Sequence, residues 1–188
     1  MSNCKKQEQR TDLMLRNVEK YVVYGDLIIT NSLDIENTTL IVSGSLIFAN
    51  GCSKINSKGC DILAESIVFG TELTEDNEPS INIEDTDIFV QYFSSTFFIC
   101  TDGIIDVKKD LDAANYLSCL DLFVEGKTSA QSIQTMQDAY FGNDCDCHLL
   151  SARDVFVDGI LDLNGYRLNN FGDTYVRFGI LNQGTYEE

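Results

Sequence analysis

Phe156-Val157-Asp158-Gly159-Ile160-Leu161-Asp162-Leu163 is the stretch that decides the fold. Two short apolar runs meet at an Asp-Gly corner, and neither is long enough to make a helix. Asp158-Gly159-Ile160-Leu161-Asp162-Leu163 echoes Asp102-Gly103-Ile104-Ile105-Asp106-Val107 earlier in the chain. Related corners stand at Val23-Tyr24-Gly25, Val42-Ser43-Gly44, Val124-Glu125-Gly126 and Phe178-Gly179. A second mark, Ala-x-x-Ile/Val, recurs at Ala64–Ile67, Ala130–Ile133 and Ala152–Val155. The loose period is about 19 to 23 residues, the length of one supersecondary unit that buries its apolar face only by stacking on copies of itself.

Between the corners lie runs of three to five residues such as Leu40-Ile41-Val42, Leu46-Ile47-Phe48 and Ile67-Val68-Phe69, rich in β-branched and aromatic types. Asn31, Asn37, Asn50 and Asn56 punctuate them, and Asn tolerates the left-handed backbone of tight corners. Three short strands per turn, each pairing with the strand one turn away, predict an all-β, right-handed parallel β-helix. A left-handed solenoid would show a stricter hexapeptide period. Leucine-rich repeats would show Leu-x-x-Leu-x-Leu.

Residues 6–20 differ in texture. They mix charge with Leu13, Met14 and Val18 at roughly helical spacing, and Thr11 or Asp12 suits a helix start. The expected organisation is a short amphipathic helical cap over residues 1–20, then one solenoid domain over residues 21–188. Two departures are expected within the solenoid. One is an acidic loop over 71–80, beside the single proline Pro79, and the other spans 134–146. Residues 108–120 read as a helical turn or a wide corner.

The formal charge is −17. Residues 1–20 carry Lys5, Lys6, Arg10, Arg16 and Lys20 against Glu8, Asp12 and Glu19, so the negative charge belongs to the rest of the chain. Such a field repels nucleic acid and anionic membrane, and it attracts basic partners. No basic stripe for direct nucleic-acid binding is visible, and no apolar run reaches membrane-spanning length. Seven cysteines, an odd number at irregular spacing with no apolar signal region before them, predict free thiols in a reducing, cytoplasmic setting.

Gly25–Leu46 and Val124–Leu163 resemble the Gly-Asp-Leu and Val-x-Gly-x-Leu coils of bacterial β-solenoid proteins. Two groups share that form: bactofilin-like, polymer-forming cytoskeletal proteins, and soluble solenoids of polymorphic toxin–immunity systems. The first likeness implies end-to-end filaments, and the second a cytoplasmic, non-catalytic protein that masks a toxin.

Motifs for chemistry are sparse. Cys145, Cys147 and His148 form the densest set of metal-ligand types, but Cys-x-Cys without a second pair is a weak zinc pattern, and adjacent strand residues face opposite ways. No metal or cofactor is expected. Asp102/Asp106 and Asp158/Asp162, at i and i+4 in strand-like text, should each share a face, as paired carboxylates of sugar-cleaving enzymes must. Cleft-forming loops and a secretion signal are missing, so a solvated acidic face is expected instead. Tyr21, Tyr24, Tyr92, Phe93, Tyr140, Phe141, Tyr166 and Tyr175 read either as a binding face or as ladders inside the coils.

The expected function is non-enzymatic: an acidic solenoid that occludes a basic protein partner, as a toxin-neutralising immunity protein does. Glu72, Glu75, Asp76, Glu78, Glu84, Asp85 and Asp87 are the candidate contacts, though the same run also reads as a solvated loop. The alternatives are a self-assembling scaffold stacking through its terminal coils and an acidic mimic of nucleic acid.

Overall fold

The computed structural model describes residues 7–69, 80–95, 97 and 99–184. It shows a parallel β-solenoid of about 9 turns, and the described residues contain no helix. Every recorded strand pairing is parallel, each strand lying on its counterpart one turn further along the chain. Leu27 sits on Leu46, Leu46 on Ile67, Ile67 on Phe93 and Phe93 on Leu111.

Each turn has three faces, and each face points alternate residues inward. On the first face the inward column runs from Leu27 to Leu161. On the second it runs through Leu33, Ile55 and Ile81, and further along through Leu117, Ile133 and Leu150. On the third it runs through Leu40, Ile62, Ile88, Ile105, Leu122, Ala139 and Val155. These columns meet on the axis as one continuous apolar core, with most members fully buried. Burying each Leu or Ile contributes about 1.5–3 kcal/mol, which no turn could collect alone. Phe48 and Phe69 stack on successive turns with ring centroids 4.9 Å apart.

The corner between the second and third faces needs left-handed backbone. Asn17, Asn37 and Asp85 adopt it there with φ of 53°, 48° and 45°. The Asn37 amide donates to Asn17 Oδ1 at 2.9 Å, so the corner is also a side-chain ladder.

Four sequence expectations are corrected. The described part of the expected cap, residues 7–20, contains no helix: Gln7–Arg16 is a strand, parallel to Asp26–Glu36. Its Glu8 and Arg10 occupy the positions that Leu27 and Ile29 hold one turn later, and they pair with each other at 2.8 Å. Among the described residues nothing lies below this first turn, and its strand carries charge where deeper strands carry Leu and Ile. Residues 134–146 are not a departure, since Asp138–Phe141 pairs in register with Leu122–Val124 on one side and Asp154–Val157 on the other. Residues 108–120 hold the strand Leu111–Cys119. The turn also tightens along the chain: Gln7 pairs with Asp26, but Cys145 pairs with Leu161 only sixteen residues on. Of the acidic loop expected over 71–80, residues 71–79 lie outside the described residues, and Ser80 opens the strand Ser80–Glu84.

Candidate functional site

Four of the seven acids expected to meet a partner, Glu72, Glu75, Asp76 and Glu78, lie outside the described residues. The other three gather at one corner, and each has a structural task. The Glu84 carboxylate accepts from Lys58 Nζ at 2.9 Å, and hydrogen bonds from Lys58 and Asn82 hold it below the usual carboxylate range. Asp85 sits in the left-handed corner, where its N–H donates to Asp102 Oδ1. Asp87 Oδ1 accepts the backbone N–H of Ile104 at 2.8 Å.

Asp87 is one case of a device used throughout the solenoid. At a corner, an aspartate oxygen accepts the backbone N–H of a residue one turn further on. Asp26 takes Ser45, Asp110 takes Lys127, Asp121 takes Asp138, Asp144 takes Ile160 and Asp154 takes Asp173, all at 2.7–2.9 Å. Four of these five donors, Ser45, Lys127, Ile160 and Asp173, follow a glycine, because a side chain there would collide with the clasp. A Cβ on Gly126 would lie 2.5 Å from Asp110 Oδ1 and from the Lys109 backbone. Much of the chain's acidity is therefore architectural.

The paired aspartates do not converge. A corner separates Asp102 from the strand Ile105–Val107, and another separates Asp158 from the strand Ile160–Asp162, so neither pair shares a face. Asp106 lies by Lys108 at 3.0 Å, and Asp158 by Arg177 at 2.9 Å. Cys145 and Cys147 point into the core with their sulfurs 3.9 Å apart, and their mutual contact, with burial adding to it, pushes the Cys145 thiol well up. His148 turns the other way and stacks on Tyr166 at 4.9 Å. Among the described residues no group of three or more His, Cys, Asp or Glu side chains is placed to hold a metal ion.

The surface with the clearest organisation is the outside of the third face. Its central outward column reads Val22, Ile41, Leu63, Phe89, Asp106, Phe123, Tyr140, Phe156 and Tyr175, one residue per turn. Phe89, Phe123, Tyr140 and Phe156 are 36–40% exposed, which is a large apolar area for an outward strand position. On one side of this ladder runs a column of aspartates: Asp61, Asp87, Asp121, Asp138, Asp154 and Asp173. Arg153 pairs with Asp138 at 2.7 Å and with Asp154 at 3.3 Å. Among the described residues no cation lies within ion-pair distance of Asp61, Asp87, Asp121 or Asp173. Among the described residues the second carboxylate oxygen of Asp87 and of Asp121 has no hydrogen-bond partner.

Asp106 interrupts the apolar ladder at its fifth rung of nine. One of its oxygens meets Lys108, and the other, Oδ1, is buried with no hydrogen-bond partner among the described residues. It borders a shallow depression of ≈ 380 Å³ whose lining includes Ile41, Leu63 and Phe89.

Of the aromatic residues singled out from sequence, Tyr140 and Tyr175 lie on this ladder, whereas Phe93 and Phe141 are buried in the core. Phe89, Phe123 and Phe156 were not anticipated. The signal was available: each is the middle residue of an apolar trio (Ile88-Phe89-Val90, Leu122-Phe123-Val124, Val155-Phe156-Val157), and period-2 alternation turns the middle residue outward when both flanks are buried. No family model, no curated protein and no solved structure matches this chain.

Proposed function

We propose that this chain is a non-catalytic acidic β-solenoid that binds and occludes a basic protein partner in the cytoplasm, as a toxin-neutralising immunity protein. The observation that carries the reading is the aspartate column beside the exposed apolar ladder on the third face. Apolar area supplies contact energy, and carboxylates without cations at its edge steer a positively charged surface onto it. From Asp121 to Asp173 those carboxylates recur once per turn, a spacing that also suits a partner that ordinarily grips phosphates. The separation of Asp102 from Asp106 and of Asp158 from Asp162 supports a non-enzymatic role. The coil itself is taken as right-handed, following the general preference of parallel connections.

The test is co-expression with the product of the gene adjacent to this one. That product should arrest growth when expressed alone and should be harmless with the solenoid present. The purified pair should form a complex that weakens with salt. Arrest that persists in the presence of the solenoid, with no complex, would overturn the reading.

A scaffold role has one observation in its favour. The last described turn leaves Phe171, Tyr175, Phe178 and Leu181 exposed. The first turn, by contrast, presents Glu8 and Arg10, so the two ends are not apolar complements. Sedimentation velocity separates the readings: long polymers that grow with concentration would favour the scaffold.

A further inference from the structure

The third face has a definite shape for a ligand. Successive turns of a parallel solenoid lie about 4.8 Å apart, so the ladder from Val22 to Tyr175 is roughly 38 Å long. Outward neighbours on a strand are two residues apart, which sets the aspartate column about 6.7 Å to one side of the apolar one. The surface is thus an apolar strip with an anionic border.

Two physical constraints select the occupant. The first is pitch. The unbroken rungs Phe123, Tyr140, Phe156 and Tyr175 span about 14 Å, against about 16 Å for three turns of an α-helix and about 20 Å for alternate residues of a strand. A helix lying along the solenoid axis keeps one apolar residue near each rung, whereas a strand falls out of phase. The second is charge. A second copy of this chain running antiparallel would bring aspartates against aspartates. Because Asp106 is the middle rung, either twofold face-to-face arrangement also sets one Asp106 carboxylate against the other. Juxtaposed buried like charges exclude that pairing. A helix with Lys or Arg flanking its apolar stripe meets the border with opposite charge, and one cation can join Lys108 at the outer oxygen of Asp106.

We infer that the third face docks a basic amphipathic helix of the partner, with Phe123, Tyr140 and Phe156 as the apolar seat and Asp106 and Asp121 as the carboxylate contacts. This rests on the reading that the partner is basic.

The probe is an 18-residue, fluorescein-labelled helical peptide of Leu, Lys and Ala with one Leu stripe flanked by Lys. Two companions serve as controls, one with Gln replacing Lys and one a scramble of the same composition. Anisotropy titrations use the full chain. F123S/Y140S/F156S should raise Kd at least about tenfold, while a thermal melt checks the fold. D121N keeps an oxygen for the Asp138 N–H, so it should weaken binding about threefold and flatten the salt dependence. D112N/D146N, on the first face, removes the same kind of charge away from the ladder and should change Kd less than about twofold.

Equal binding of the Gln peptide or of the scramble would overturn the basic helix as occupant. If D112N/D146N carries the loss and the ladder variant does not, the docking face is overturned while the basic-partner reading stands. A wild-type chain that ignores the Lys peptide overturns the docking face as well, and rescue in the co-expression assay then still decides the wider function separately. A wild-type dimer dissolved by F123S/Y140S/F156S would overturn the proposal by naming a second copy as the occupant.

Discussion

Asp144 Oδ1 accepts the backbone N–H of Ile160 at 2.9 Å, tying one turn of the solenoid to the next across the Gly159 corner. A Cβ on Gly159 would stand 2.5 Å from the Asn143 and Asp144 backbone. The close approach that admits the bond is thus the one that demands glycine. D144A should lower stability by about 1–2 kcal/mol, the worth of a charge-assisted bond at an exposed corner. D144N, which keeps an acceptor, should cost less. G159A should cost about 2–3 kcal/mol because backbone must move. Urea midpoints measure all three, and equal midpoints for D144A and wild type would remove the clasp from the account of stability.

Thiol reactivity reads out the core. Cys52, Cys60, Cys119, Cys145 and Cys147 are buried free thiols, and Cys100 is exposed. Burial pushes the Cys119 thiol far up, and desolvation also raises Cys52. In a C4S background, a disulfide-exchange reagent at pH 8 should titrate one thiol in the native protein and the other five only in denaturant. Rapid reaction of Cys145 or Cys147 would contradict their inward placement.

The strands, their parallel stacking and the solenoid were legible because short β-rich runs between Gly and Asn corners admit few other arrangements. The register was not. Ile105 belongs to the third-face column and Leu161 to the first-face column, so the two Asp-Gly-Ile copies mark different corners rather than whole turns apart. An Asp-Gly clasp serves any corner, so its recurrence does not report the period. The first strand reads as helix in sequence because Glu8 and Arg10 occupy inward positions, and only its pairing with Asp26–Glu36, remote in sequence, makes it a strand. The acids flanking Pro79 drew attention by density alone, whereas the third face is assembled from single residues contributed by every turn.

Asp34 gives the fold a pH-dependent element. It is buried on the second face, where Asn56 Nδ2 donates to it at 2.9 Å, with Arg16 at 2.8 Å and Lys54 at 3.4 Å. The Asn56 bond is the main cause of its lowered pKa; burial opposes that shift, and Arg16 and Lys54 add to it. A carboxyl depressed in the folded state stabilises above its unfolded pKa of about 3.9 and loses that contribution as pH falls through the folded value. D34N should therefore be less stable than wild type at neutral pH, with the gap closing below about pH 4. A gap that stays constant from pH 7 to pH 3 would show that the charge contributes nothing.

The charged first turn predicts how the N-terminal end behaves. Glu8 and Arg10 stand over Leu27 and Ile29, and Tyr21 Oη reaches Glu8 at 3.4 Å. E8L/R10I extends both apolar columns to an open strand edge, the arrangement that edge strands avoid. This variant should associate end to end at concentrations where the wild type does not, as seen by sedimentation velocity. Unchanged sedimentation would mean that something other than these two charges guards the edge.

Asp106 makes the corresponding prediction for the third face. It is the only charged rung among apolar ones, flanked in register by Phe89 and Phe123. Its buried Oδ1 has no partner among the described residues, so the position carries a desolvation cost of about 1–3 kcal/mol that a Leu would not. A position kept at such a cost at the centre of an apolar strip fits a role in choosing what the strip binds. D106L completes the ladder and removes the like-charge contact that blocks face-to-face pairing of two copies. The variant should therefore melt higher than wild type and form a dimer in sedimentation velocity, and F123S/Y140S/F156S introduced alongside should abolish that dimer. A D106L chain that sediments as wild type does would show that Asp106 has no part in keeping the face open for another partner.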